Sequence, residues 1–129
     1  MFRYNETFCM FAKQFFEAWG RFFEILFLEE AFNFLRELDR KHYEKIIYNM
    51  RRAQVELNPE LFKKLTGEIW EFRTLYQGKH YRLLAFWDKS TPDATLVVAT
   101  HAFVKKESKV PSKEIDRAMM LRRKYFIEK

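Results

Sequence analysis

Ile69-Trp70-Glu71-Phe72-Arg73-Thr74-Leu75-Tyr76-Gln77-Gly78-Lys79-His80-Tyr81-Arg82-Leu83-Leu84-Ala85-Phe86-Trp87 is the stretch that decides the fold class. Two aromatic-rich runs, 69–76 and 80–87, flank Gln77-Gly78-Lys79, a hairpin-type connection. A third strand is expected over 95–103, beyond the turn Ser90-Thr91-Pro92-Asp93. Consecutive hairpin-joined strands make an antiparallel sheet, and what surrounds them decides how that sheet is covered.

Upstream, Leu61-Phe62-Lys63-Lys64-Leu65-Thr66-Gly67 reads as a compact link ending in a glycine turn. Before it, 29–39 and 42–55 carry apolar residues at helical spacing: Ala31, Phe34, Leu35 and Leu38, then Tyr43, Ile46, Ile47, Met50 and Ala53. A short polar break at 39–41 suggests an antiparallel helical hairpin, and Asn58-Pro59 stops its second helix. Phe22-Phe23-Glu24-Ile25-Leu26-Phe27-Leu28 reads as a first strand buried on both faces. Downstream, a helix over about 112–126 starts at Pro111 and offers Ile115, Ala118, Met119, Tyr125 and Phe126 as its buried stripe. The expected architecture is α+β, a small antiparallel sheet packed on an N-terminal helical hairpin with a C-terminal helix, one sheet face remaining free for a ligand.

Residues 1–20 form a separate amphipathic extension to a domain spanning 21–129. Phe8, Phe11, Ala12, Phe15, Phe16 and Trp19 lie on one helical face, with Thr7 as N-cap and Gly20 as stop. The segment is poor in basic residues, which favours packing on the body or a partner over a membrane surface; a leader upstream of the true start is a further alternative.

The 129 residues suffice for one domain with a real core. Hydrophobic residues at 48% and only 3 glycines exclude a disordered or collagen-like chain. The single cysteine, Cys9, excludes a disulfide scaffold and a four-cysteine zinc site. No metal or other cofactor is expected, nor a membrane span or signal peptide, and the expected location is cytoplasmic. Residues 1–68 hold 11 Lys and Arg against 11 Asp and Glu, while 69–129 hold 13 against 7, so the whole net charge of +6 lies in the second half. An anionic partner is one reading and a solvated basic surface the other.

Strand parity places Ile69, Glu71, Arg73 and Leu75 on one face, Arg82 with His80 and Leu84, and His101 with Val97, Ala99 and Phe103. Arginines in mid-strand need a carboxylate or an anionic ligand, because an unpaired buried guanidinium is very costly. An internal bridge from Glu71 to Arg73 or Arg82 is one outcome; a phosphate-holding sheet face is the other. Lys105-Lys106-Glu107-Ser108-Lys109-Val110-Pro111-Ser112-Lys113 adds lysines at the sheet's end. Trp70, Tyr76, Tyr81 and Trp87 could stack bases or pack in the core. No nucleotide-loop or nucleophile-elbow motif is present.

Leu61-Phe62-Lys63-Lys64-Leu65-Thr66-Gly67 with Ile69-Trp70-Glu71-Phe72-Arg73, then Tyr81-Arg82-Leu83-Leu84, His101-Ala102-Phe103-Val104-Lys105-Lys106 and Pro111…Glu114-Ile115…Ala118, resembles the phage-derived branch of HigB-like toxins in the RelE/ParE superfamily. The resemblance covers about 22–126. It implies the toxin of a type II toxin–antitoxin pair: a ribosome-dependent, metal-independent endoribonuclease that cuts mRNA on the 70S ribosome and is silenced by a helix-turn-helix, HigA-like antitoxin. By the same resemblance Arg73, Arg82, His101, Lys105, Lys106 and Glu71 form the catalytic set; the charge of Lys63, Lys64, Lys109 and Lys113 makes them the expected RNA-binding lysines beside it. The alternative is a non-catalytic module of the same fold, a ParE-like gyrase inhibitor or a decayed toxin that binds only its antitoxin. Two departures stand out: Ala102 replaces the family's usual glycine, and Val110 a common capping threonine.

Overall fold

The structure, a computed structural model, describes residues 22–90 and 95–129. The N-terminal extension expected over 1–20 lies outside them. The described order is β1 (Glu24–Phe27), α1 (Glu29–Arg36), α2 (Arg40–Val55), β2 (Phe62–Thr66), β3 (Ile69–Tyr76), β4 (Lys79–Asp88), β5 (Leu96–Lys105) and α3 (Ser112–Glu128). The class is α+β, as read from the sequence.

The sheet departs from expectation in two ways. It has five strands in the order β1-β5-β4-β3-β2, and β1 runs parallel to β5, so it is mixed, not antiparallel. The chain passes through α1, α2 and the β2–β3–β4 meander before β5 returns beside β1, the long connection that a parallel pairing requires. The stretch read as a link, 61–67, contributes β2 at the sheet edge, with Phe62 opposite Phe72 and Lys63 opposite Glu71. Its half-exposed pattern hid it, since an edge strand carrying Lys63 and Lys64 lacks the apolar alternation of a buried one.

Local chemistry explains the turns. Gln77 and Gly78 both have positive φ, 49° and 78°, the geometry of a two-residue hairpin whose twist matches its strands. Gly67, at φ 53°, turns β2 into β3. The register of β3 with β4 is continuous from Trp70 opposite Ala85 to Tyr76 opposite Lys79.

Helices α1 and α2 cover one sheet face, α1 against β1 and β5 and α2 against β3. That face buries Phe23, Phe27, Ile46, Met50, Phe72, Tyr81 and Leu83. Polar groups within it are tied down: Asn49 donates to Thr74 Oγ1 at 3.1 Å, and Gln54 donates to the Phe23 carbonyl at 2.8 Å. The opposite face, expected to be free, is crossed by α3. Ala118 packs on Ile69 and Leu84, and Tyr125 packs on Phe86, their rings 5.3 Å apart. Asp88 accepts the Tyr125 hydroxyl at 2.6 Å and pins the far end of α3.

Candidate anion-binding face

The β4–β5 ladder is interrupted at one place. Leu84 faces His101, but Ala85 faces Ala99, so Thr100 is an extra residue in β5. Its hydroxyl donates to the Leu84 carbonyl at 3.0 Å. This bulge reverses the parity of β5. Val97 and Ala99 face α1 and α2, whereas His101, Phe103 and Lys105 face the α3 side. Strict alternation, which grouped His101 with Val97 and Ala99, fails for this reason.

The bulge assembles the site. Three cross-strand rows now lie on the α3 side: Lys63, Glu71, Leu84 and His101; then Arg73, Arg82 and Phe103; then Leu75, His80 and Lys105. Helix α3 covers Leu84 and His101 of the first row, while Lys63 and His80 are exposed and Arg73 and Lys105 half-buried.

Glu71 and Arg82 form a buried ion pair, Arg82 Nε lying 2.9 Å from Glu71 Oε1 with side chains 3% and 4% exposed. The internal bridge is therefore real, and Arg82 also donates to the Tyr81 carbonyl at 3.0 Å. Burial lowers the Arg82 pKa and the facing Arg73 lowers it further, while Glu71 opposes both. Arg73 sits directly opposite Arg82, and like charges so placed repel. Among the described residues Arg73 has no carboxylate partner, and its buried Nε makes no hydrogen bond.

Lys105 completes the group. Burial pushes its ammonium below the ordinary lysine value, as do the charges of Arg82, Arg73 and Lys63, with Glu71 alone acting against them. Its Nζ donates to the Ser108 carbonyl at 3.3 Å. Lys63, Arg73, Arg82 and Lys105 thus share one carboxylate, a surplus of three positive charges at one end of the sheet.

His101 is held from both sides. Its Nε2 lies 3.0 Å from Glu114 Oε1 on α3, and its Nδ1 lies 3.0 Å from Thr100 Oγ1. Burial lowers its pKa, and the Glu114 carboxylate partly restores it. A carboxylate only accepts, so Nε2 carries a proton and donates it to Glu114. The arrangement ties α3 to the bulge.

The remaining lysines scatter. Lys64 pairs with Trp70 and faces the α1–α2 side, while Lys106, Lys109 and Lys113 are exposed on the loop and first turn beyond β5. Trp70, Tyr76, Tyr81 and Trp87 also belong to the α1–α2 side, away from the arginines. Tyr81 is 2% exposed, and its hydroxyl lies 2.7 Å from His42 Nδ1. Phe103, whose ring stacks on His101 at 5.7 Å, is an aromatic that does stand beside the arginines. It was not among the aromatics singled out from the sequence, and its place on the face of His101 is the signal that could have found it. Among the described residues no three His, Cys, Asp or Glu converge on a metal-sized site, and no helix is long and apolar enough to cross a membrane.

Among curated proteins none matches the chain. A family model described as "Phage derived protein Gp49-like (DUF891)" matches residues 33–123, which include every row of the basic face.

Proposed function

Since the chain belongs to the Gp49-like phage-derived family, a family associated with RelE-like toxins, we propose that it is the HigB-like toxin of a toxin–antitoxin pair and cleaves mRNA on the ribosome. The observation that carries this reading is Arg73. It is a half-buried guanidinium set against a second arginine, with the one nearby carboxylate already committed to Arg82. Such a group calls for an anion, and the planar fork of arginine suits phosphate.

The arrangement fits cleavage by the RNA's own ribose. The 2′-oxygen bonds to the adjacent phosphorus as the bond to the 5′-oxygen breaks, leaving a 2′,3′-cyclic phosphate. Arg73, with Arg82 behind it, stabilises the charge gathering on the phosphate oxygens. Lys105, held below the ordinary lysine value, surrenders a proton more readily than a surface lysine and suits donation to the departing 5′-oxygen. Water at the open end of the sheet takes the proton from the 2′-hydroxyl. Glu71 and His101 act as positioning residues, one holding Arg82 and the other holding α3. Phe103 offers a ring on which a base can stack. Lys63, Lys106, Lys109 and Lys113 add sequence-independent attraction for the RNA backbone. Lys64, on the other face, is assigned to the rim.

The partner implied by the family is an antitoxin, and on this reading it is a helix-turn-helix, HigA-like protein that covers the basic face. Induced expression of the wild type against Arg73→Ala, with primer extension on translated mRNA, tests the proposal. Growth arrest with new mRNA 5′ ends, both lost in the variant, is the expected result. Arrest without any cleavage would contradict it and favour a gyrase-directed module.

A further inference from the structure

On the sheet face opposite the arginines, an apolar groove of about 310 Å³ runs between the C-terminal end of α2 and strands β2 to β4. Aromatic rings pave its floor: Phe23 lies 5.1 Å from Phe62, Phe62 stacks on Trp70 at 5.0 Å, and Trp70 meets Trp87 at 5.8 Å. Leu57 on its wall is 82% exposed, and Phe22 at its mouth is 47% exposed. An exposed apolar surface of this kind marks a place where something docks.

The path of the chain identifies the occupant. Phe22, the first described residue, itself lines the groove, and only Gly20 and Arg21 separate it from Trp19. At about 3.8 Å per residue, the three-residue tether from Phe22 back to Trp19 spans at most about 11 Å. The preceding segment carries Phe8, Phe11, Ala12, Phe15, Phe16 and Trp19 at the spacing of one helical face. Basic Lys64 stands on the groove's rim, and Glu17 precedes Trp19 by two positions. So short a tether gives an effective concentration of millimolar order or more, enough to saturate even a weak contact.

We propose that residues 8–19 of the same chain dock their Phe and Trp stripe into this groove. The docked segment and the basic face lie on opposite sides of the sheet, so this inference stands independently of the RNA reading.

Full-length chain carrying Trp19→Phe provides the test, because its emission then reports only Trp70 and Trp87. Adding Phe11→Asp and Phe15→Asp should red-shift that emission and raise the acrylamide quenching constant about twofold, as half-buried indoles become exposed. Leu57→Asp, on the open wall and away from the core, should do the same. Combining it with the Phe11 and Phe15 changes should add nothing further, since both undo one contact. Unchanged quenching in the Phe11 and Phe15 variant overturns the proposal. A nitroxide on Cys9, the sole cysteine, should broaden the indole N–H signals of Trp70 and Trp87 when the labelled chain is diluted in excess unlabelled chain. Broadening that vanishes on dilution would assign the groove to a second copy and also overturns it.

Discussion

Replacing Glu71 by glutamine probes the electrostatics of the basic face most sharply. The substitution keeps the shape of the side chain and an oxygen that can accept from Arg82, but removes the one negative charge. Both partners are almost fully buried and 2.9 Å apart. At an effective dielectric near 20, a pair at about 4 Å interacts by about 4 kcal/mol, and removing one partner of a buried pair costs about 3–5 kcal/mol. Arg82 would then face Arg73 with no carboxylate between them. A loss of this size corresponds to a fall of roughly 12–40 °C in Tm for a domain of about 100 residues. Urea titration followed by circular dichroism measures it, with an unchanged m-value showing that the folded state is otherwise intact. The double variant Glu71→Gln with Arg82→Met should recover most of the loss, because no buried charge is left unpaired. Phosphate should stabilise the single variant more than the wild type, since it binds the surplus cations of the folded state alone. A loss below about 1 kcal/mol would refute the reasoning, for an effect so small belongs to exposed pairs.

Other consequences follow from the same contacts. Burial holds the His101 pKa below its ordinary value of about 6.5, so the unfolded chain takes up the proton first. Stability is therefore full above about pH 6.5 and falls as the pH drops towards the folded pKa, a slope that His101→Gln should flatten in Tm measurements. Tyr125→Phe removes the 2.6 Å bond to the buried Asp88 carboxylate and should cost about 1.5–3 kcal/mol by chemical denaturation, with faster hydrogen exchange in the last turns of α3. Single-stranded RNA should bind with a logarithmic salt slope near −2 if about three of Lys63, Arg73, Arg82 and Lys105 touch phosphate, and Lys105→Ala should make that slope shallower by about 0.7. Fluorescence anisotropy at several salt concentrations reads both values.

Much of the architecture was legible because the decisive signals are local. Ile69–Tyr76 was bounded to the residue, since Gln77-Gly78 fixes where the hairpin turns. The stripe Ile46, Ile47, Met50 and Ala53 is buried as its spacing demanded. The misreadings concern non-local pairing. Nothing in the apolar run of β1 says whether it lies parallel to β5 or antiparallel to a neighbour, because burial on both faces is compatible with either. Strand β2 has weak alternation and becomes a strand only because β3 is there to pair with it. The candidate face was half legible. Arg73 and Arg82 announced themselves as charges in apolar strands, and the Glu71 bridge was one of two stated outcomes. Pairing as a meander already set His101 and the lysines after β5 next to Arg73 and Arg82; what parity could not supply was the Thr100 bulge that turns His101, Phe103 and Lys105 onto the arginine face. A bulge without glycine leaves little trace in a single sequence.

The central claim is that the face around Arg73 and Lys105 cuts RNA held on the ribosome. Purified chain mixed with programmed ribosomes and end-labelled mRNA tests it most directly, with product ends resolved as cyclic phosphate or hydroxyl. The account predicts cuts that require ribosomes, leave a 2′,3′-cyclic phosphate, and fall at least about a hundredfold with Arg73→Ala, the scale of losing one group that stabilises transition-state charge. Cleavage that survives Arg73→Ala undiminished, or intact mRNA in the presence of folded wild-type chain, would contradict it.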